Sequence, residues 1–214
     1  MKNNCKKITF IWDLDGTLLD SYPLIVNSLY TIYNEKGVTI DKKEIYKQVI
    51  DESVSTFIKG MEAKFNIPFD DLKDRYNNIT HKKLNTITPM EHSKEILEYL
   101  KSKGIRSYVF THRGITTETV LKNIGLYDYF DDFVTSLDNF KRKPDPEGLN
   151  YLIDKYNLDR NSTYYVGDRP MDIECANNTH IKSIMFIEKN SPGKPTGKET
   201  YIIKDLLDIK NIIK

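Results

Sequence analysis

Residues 8–17 read ITFIWDLDGT, a short apolar run that ends in two aspartates one residue apart. β-Branched and aromatic residues dominate the run, which predicts a strand buried on both faces. Asp13 and Asp15 fall where that strand should end, and alternate residues of a strand share a direction, so both carboxylates are expected to face one crevice. Ligands of open α/β sheets bind outside the carboxyl ends of the strands. Gly16 allows the backbone to turn sharply at that point.

Two carboxylates this close repel each other unless one is protonated or a cation lies between them. A hard divalent ion such as Mg2+ takes oxygen ligands and would satisfy the pair. The alternative is an ordinary turn, because Asp-Gly is a common hairpin signal and Asp and Thr both cap helices. The stretch therefore favours a functional site, with an ordinary turn as the alternative.

The rest of the chain divides into a helical block and a series in which strands and helices alternate. Helices are predicted over 21–36, 41–50, 53–66 and 69–86, with no strand between residues 20 and 88. Strands are predicted at 105–110, 133–135, 163–166, 183–187 and 201–203, and helices at 92–103, 116–124, 145–157, 170–179 and 204–213. Such alternation indicates a parallel sheet flanked by helices. We predict an α/β core domain from residues 1–19 and 88–214, interrupted by an all-helical domain over 20–87.

Overall composition restricts the classes of function. Lys and Arg number 32 against 31 Asp and Glu, a net charge of +1, which gives no support for a nucleic-acid-binding surface. No apolar stretch has the roughly 18–20 residues that a membrane span needs, and none follows the N-terminus as a signal peptide would. Cys5 and Cys175 form no metal-type spacing and make a disulfide framework improbable, which favours the reducing cytoplasm. The sequence leaves open whether the protein is a monomer or a homodimer.

Polar residues follow several of the predicted strands. Thr111, His112 and Arg113 come after strand 105–110, residues 141–146 read KRKPDP, and residues 167–172 read GDRPMD. A threonine hydroxyl and backbone N–H groups at a strand-to-helix turn can hold a phosphate. Helix capping is the alternative for both Thr111 and Asp168, and the cations Lys141 and Arg142 are expected at the surface.

Taken together, these motifs resemble the four motifs of the haloacid dehalogenase-like (HAD-like) phosphohydrolases, in the same order along the whole chain. The matching residues are Asp13-Leu14-Asp15-Gly16-Thr17, then Thr111, then Lys143-Pro144-Asp145-Pro146, then Gly167-Asp168 with Asp172. The resemblance implies a Rossmann-like HAD core with the helical cap of the phosphoglycolate phosphatase and β-phosphoglucomutase branch. One departure is plain, since the second motif commonly carries Asn where this chain has His112 and Arg113.

The resemblance also implies a role for each matching residue. Asp13 is the expected nucleophile, Asp15 the general acid/base, and Lys143 a contact to both phosphate and nucleophile. Mg2+ is expected on Asp13, the main-chain carbonyl of Asp15, and Asp168. Further residues are expected to bind phosphate (Thr111, His112 and Arg113) or to support the site (Gly16, Thr17 and Asp172). Arg113 could add a guanidinium to an anionic substrate, whereas His112 could instead face solvent or bond within its loop.

The function that follows is a Mg2+-dependent phosphatase that acts on a small phosphorylated metabolite through an aspartyl-phosphate intermediate. A sugar-phosphate mutase with the same four motifs is one alternative. A binding or regulatory protein that has lost catalysis is another, although all the motif residues are present. The resemblance leaves the substrate open among phosphoglycolate, sugar phosphates, nucleoside monophosphates and pyrophosphate.

Overall fold

The computed structural model describes residues 7–213, so Cys5 lies outside the described residues. The chain separates into two compact units, one made of Met1–Leu19 with Pro89–Lys214 and the other of Asp20–Thr88. None of the described helices has the length and apolar character that crossing a membrane would require.

The described strands are β1 (Thr9–Trp12), β2 (Leu19–Asp20), β3 (Thr88–Pro89), β4 (Arg106–Phe110), β5 (Asp132–Val134), β6 (Thr163–Gly167), β7 (Lys182–Phe186) and β8 (Tyr201–Ile203). The α-helices are α1 (Tyr22–Glu35), α2 (Lys42–Asp51), α3 (Val54–Phe65), α4 (Phe69–His81), α5 (Ser93–Ser102), α6 (Thr117–Asn123), α7 (Glu147–Tyr156), α8 (Pro170–Asn178) and α9 (Ile209–Ile212).

The first unit is built on a six-stranded sheet in the order β5-β4-β1-β6-β7-β8, in which every neighbouring pair is parallel. The predicted α/β fold with a parallel sheet is therefore confirmed. Strand β1 lies between β4 and β6, and all four of its residues are buried, as its unbroken apolar character requires. On one face of this sheet, the strand residues Ile11, Tyr108 and Tyr165 form a core cluster with Leu149 and Leu152 of α7.

The C-terminal segment differs from its prediction. A continuous helix was expected over 204–213, but a short 3-10 turn at Leu206–Asp208 precedes α9. The Asp205 carboxylate accepts a hydrogen bond from the Leu207 N–H at 2.8 Å and starts this tighter turn.

The second unit is a group of four helices, α1 to α4, around its own apolar core. Leu29, Ile32, Ile45, Ile58 and Met61 are almost completely buried in it. Helix α4 ends at His81 rather than at the predicted residue 86, because residues 82–86 read KKLNT and provide one apolar side chain for a helical face.

The two connections of the helical unit carry strands that the sequence did not indicate. Strands β2 and β3 pair as a separate two-stranded sheet. Each has two residues, which is too short for an alternating pattern to be read from the sequence.

Candidate active site

The candidate site lies at the carboxyl ends of β1, β4 and β6. Asp13, Thr111 and Asp168 each follow one of these neighbouring parallel strands. The Asp13 N–H donates to the Val166 carbonyl at 2.9 Å, and the Thr111 N–H donates to the Val134 carbonyl at 2.9 Å. Sheet hydrogen bonding therefore fixes the backbone from which these side chains project.

A buried ion cluster stands at the centre of this site. The ammonium Nζ of Lys143 donates to Asp13 Oδ1 at 2.7 Å and to Asp172 Oδ1 at 2.8 Å, and none of the three side chains is more than 1% exposed. The same ammonium lies 5.0 Å from the centre of the Phe110 ring and 5.1 Å from that of Tyr165. Aromatic faces are favourable neighbours for a cation that has left water.

Two carboxylates share one ammonium in this cluster. Burial disfavours the charged ammonium, but the adjacent Asp13 and Asp172 carboxylates outweigh it and raise the pKa of Lys143. Burial would also raise the pKa of Asp172, yet Lys143 and Arg169 lower it. For Asp13 burial prevails, and its pKa is raised. The ionised form of Asp13 would therefore be favoured by a further cation.

Asp13 also has the free oxygen that such a cation would need. Its Oδ2 is buried and has no hydrogen-bond partner among the described residues. Asp13, Asp168 and Asp172 each offer one carboxylate oxygen, and these oxygens lie within 4.8 Å of one another. This donor set is one that Mg2+ prefers.

Asp172 is already engaged by protein groups. Its Oδ1 lies 2.8 Å from the Lys143 ammonium and 3.3 Å from the Tyr165 hydroxyl, and its Oδ2 accepts the Arg169 N–H at 3.1 Å. These contacts place Asp172 beside the Lys143 ammonium, and Asp13 and Asp168 stay the predicted metal ligands. The main-chain carbonyl of Asp15 stays a predicted ligand.

The loop after Asp13 is a compact turn. The N–H groups of Thr17, Leu18 and Leu19 all donate to the Leu14 carbonyl at 2.9–3.1 Å. Gly16 has φ of +82°, a conformation that glycine adopts without steric cost. The Thr17 hydroxyl donates to Asp168 Oδ1 at 3.2 Å, so Thr17 links this loop to the end of β6.

Arg113 contacts the second aspartate of the opening motif. Its guanidinium donates through Nε to Asp15 Oδ2 at 3.2 Å and through Nη2 to Asp15 Oδ1, which makes a two-point ion pair. A third hydrogen bond runs from Nη1 to Thr116 Oγ1 at 3.0 Å. The side chains of Arg113 and Asp15 are 11% and 23% exposed. The sequence directed Arg113 towards a substrate anion, whereas the structure places it on Asp15.

His112 bonds within the site rather than facing solvent. Its Nε2 accepts the backbone N–H of Lys143 at 2.9 Å. Burial lowers the pKa of His112 to about 2, with Lys143 adding to the effect, so the ring is neutral. His112 therefore positions the Lys143 backbone, and its predicted contact with phosphate stays a prediction.

Tyr165 belongs to the site although the motif comparison did not select it, whereas Gly167 is part of the matched fourth motif but had no predicted role. The Tyr165 hydroxyl lies 2.9 Å from the Phe110 carbonyl and reaches Asp172, so it fixes the wall behind the ammonium. A Cβ on Gly167 would lie 2.4 Å from the Cβ of Asp172. The signal that could have found Tyr165 is its position inside an apolar strand, where a buried hydroxyl needs a partner.

Comparison with known proteins agrees with this geometry. Residues 10–186 match the model of the haloacid dehalogenase-like hydrolase family. The chain belongs to this family. It is therefore a HAD-like hydrolase, and the resemblance noted in the sequence is confirmed.

Relatives match along nearly the whole chain. A Caldanaerobacter subterraneus protein, provisionally named pyrophosphatase PpaX, is 31% identical over 97% of this chain and 96% of its own length. The phosphoglycolate phosphatase of Nitrosococcus oceani is 24% identical over 94% of each chain. The crystal structure of a predicted phosphoglycolate phosphatase from Haemophilus somnus has a TM-score of 0.86 at 20% identity, covering 99% of this chain and 100% of that one, which shows the shared fold.

Proposed function

We propose that this HAD-like hydrolase is a Mg2+-dependent phosphatase that transfers the phosphoryl group of a small phosphorylated metabolite to Asp13. The observation that carries the proposal is the Asp13 carboxylate. One oxygen is held by the Lys143 ammonium at 2.7 Å, and the other is buried without a partner among the described residues. A carboxylate held in this way is a fixed nucleophile that still needs an electrophile or a cation beside it.

The chain's own groups supply positioning and charge, which are the main requirements of phosphoryl transfer. Asp13 attacks phosphorus and the bond to the leaving oxygen breaks, which produces an aspartyl-phosphate. Lys143 offsets the repulsion between the phosphate and the nucleophile. Asp15 provides the leaving group's proton and then removes one from the water that hydrolyses the intermediate. Asp13 and Asp168 would hold Mg2+, which when bound supplies positive charge between the carboxylates and the phosphate.

The names of the relatives direct the choice of substrates. Pyrophosphate and phosphoglycolate are the first two candidates, because relatives matched over most of the chain are named for their hydrolysis. We further propose that the helical unit Asp20–Thr88 is the cap of this enzyme. Caps of this kind exclude bulk water and contact the leaving group.

Phosphate release tests the proposal. Purified protein would be incubated with pyrophosphate, 2-phosphoglycolate, sugar phosphates and nucleoside monophosphates, with Mg2+ and with EDTA. We expect release that needs Mg2+ and falls roughly a thousandfold or more in Asp13→Asn. Asp131→Asn is the matched control, because this exposed aspartate precedes β5 at the opposite end of the sheet.

The other outcomes are equally informative. Release that survives Asp13→Asn would overturn the assignment of the nucleophile. Isomerisation of a sugar phosphate without net phosphate release would identify a mutase. If the folded protein catalyses neither reaction with any of the compounds, the result would point to a binding protein.

A further inference from the structure

The ion pair of Arg113 and Asp15 raises a question about the proposed acid/base. Both carboxylate oxygens of Asp15 accept hydrogen bonds from the guanidinium. A proton on either of these oxygens would remove the negative charge that strengthens its contact with the guanidinium. The proposed acid role of Asp15 therefore competes with its pairing to Arg113, and catalysis is favoured when Arg113 gives up at least one of these bonds.

The pair is built so that such an exchange can occur. Arg113 is held on its own loop, since Nη1 donates to Thr116 Oγ1 at 3.0 Å and its backbone N–H donates to Thr111 Oγ1 at 3.2 Å. The Ser136 N–H donates to the Arg113 carbonyl at 3.1 Å and adds a further restraint. The guanidinium therefore keeps its position when Asp15 leaves it. Unlike the Lys143 cluster, the pair is partly open to solvent, so an incoming anion can reach it.

The place of Arg113 decides which anion can make the exchange. If Asp15 protonates the leaving oxygen, as the proposed function holds, the leaving group lies within hydrogen-bonding distance of Asp15. A cation bonded to Asp15 then adjoins the leaving group, whereas Lys143, bonded to Asp13, adjoins the phosphoryl group being transferred. The planar guanidinium fork matches a carboxylate or a phosphate oxygen pair equally well.

We propose that Arg113 is a specificity-determining residue, which selects substrates whose leaving group carries its own anionic oxygen. That oxygen takes the place of Asp15 on the guanidinium, and the displaced Asp15 carboxyl turns to the leaving oxygen. A neutral leaving group has nothing to offer Arg113, so Asp15 stays paired and turnover is slow. Pyrophosphate and carboxylate-bearing phosphomonoesters belong to the selected class. This inference rests on the proposed phosphatase activity.

A matched pair of substrates isolates the effect. 2-Phosphoglycolate and 2-hydroxyethyl phosphate share a two-carbon skeleton, and they differ in whether the leaving group carries a carboxylate or a neutral hydroxymethyl group. We expect wild-type kcat/KM to favour 2-phosphoglycolate, and Arg113→Gln to reduce that preference tenfold or more. Arg113→Lys should reduce it to an intermediate degree, since a point charge cannot form the two-point contact. Pyrophosphate, compared with the same neutral substrate, should show the same dependence on Arg113.

Arg106→Gln is the control variant. It removes the same charge from the start of β4, at the opposite end of the strand that Arg113 follows. We expect it to leave the preference unchanged. If Arg113→Gln slows both members of the pair equally, Arg113 only orients Asp15 and the proposed selection is wrong. An unchanged preference in Arg113→Gln would overturn the proposal as well.

A binding measurement separates this inference from the proposed function. In Asp13→Asn, titration calorimetry would compare the Kd of 2-phosphoglycolate with that of 2-hydroxyethyl phosphate, with Arg113 present and with Arg113→Gln added. We expect tenfold or tighter binding of 2-phosphoglycolate that disappears with Arg113→Gln. Equal binding of the two compounds to Asp13→Asn would refute the inference even if the enzyme is a phosphatase. An Arg113-dependent preference would support it even if no substrate is turned over.

Discussion

Two ion pairs in this site join a cation to a carboxylate of the same opening motif, but their surroundings differ. Lys143 meets Asp13 and Asp172 where no side chain is more than 1% exposed, and aromatic rings line the ammonium. Arg113 meets Asp15 where the two side chains are 11% and 23% exposed. Solvent does not reach the buried cluster to replace a lost partner, whereas it reaches the Arg113–Asp15 pair. The first is therefore suited to holding a nucleophile still, and the second to changing partners.

The largest expected effect comes from removing the buried cation. Lys143→Met keeps an unbranched side chain that is one atom shorter, but it leaves Asp13 and Asp172 without the ammonium between them. We expect a loss of about 3–5 kcal/mol in the free energy of unfolding, measured by urea denaturation in EDTA. Mg2+ should restore part of this loss, because a divalent ion replaces the missing charge.

Lys155→Met provides the matched control for that measurement. Lys155 also lies 2.8 Å from a carboxylate, that of Asp132, but its side chain is 41% exposed. We expect a much smaller loss of stability than for Lys143→Met. Equal losses of unfolding free energy in the two variants would show that burial does not set how much each lysine stabilises the fold.

A smaller effect is expected from Asp172→Asn. The amide keeps the size of the side chain and an oxygen that can accept from Lys143, but it removes one of the two charges that hold the ammonium. We expect a loss of about 1–3 kcal/mol in the free energy of unfolding. Phosphate release should also slow, because Lys143 then has a single charged anchor. Urea denaturation and initial-rate kinetics on one preparation would check both effects, and Asp131→Asn serves again as control.

Removing Arg113, the cation paired with Asp15, should lower the free energy of unfolding less than Lys143→Met or Asp172→Asn does. For Arg113→Gln we expect a change within about 1 kcal/mol in the free energy of unfolding, because water and salt ions take over part of its contact with Asp15. High salt should narrow this difference more than it narrows that of Lys143→Met, since charges that solvent reaches are screened more than fully buried ones. Denaturation curves at low and high NaCl would test this. A loss as large as that of Lys143→Met would contradict the contrast between the two pairs.

The smallest effect is expected from Thr116→Val, which removes the hydroxyl that accepts from Arg113 Nη1. The guanidinium keeps its charge but loses a restraint on its position. We expect stability to change by less than about 1 kcal/mol, and the preference for 2-phosphoglycolate over 2-hydroxyethyl phosphate to fall only two- to threefold. Thr116→Ser, which keeps the hydroxyl, should behave as wild type in the same kinetic assay. A tenfold loss of preference in Thr116→Val, as large as that of Arg113→Gln, would mean that Thr116 itself contacts the substrate.

The sequence by itself determined the fold and the family. The apolar strand 8–12 and the alternation after residue 89 predicted a parallel sheet because period and propensity are local properties of a chain. Asp13, Thr111 and Asp168 were found for a similar reason, since each directly follows a strand. Lys143 and Asp172 were found through the resemblance to the family's motifs. Local pattern also predicted the helical block, but not β2 and β3, whose pairing joins residues about seventy positions apart.

The resemblance implied that Lys143 meets Asp13, but only the tertiary structure decided which other charges meet. The sequence placed Arg113 near a substrate anion, but its side chain reaches Asp15, 98 positions earlier. Likewise, His112 accepts from Lys143, and Tyr165 supports the wall behind the ammonium, through contacts that no spacing in the chain encodes. Side-chain partners depend on the register and packing of separate strands, and burial then sets the strength of each ion pair. The division into a fixed cluster and an exchangeable pair is therefore a property of the folded chain.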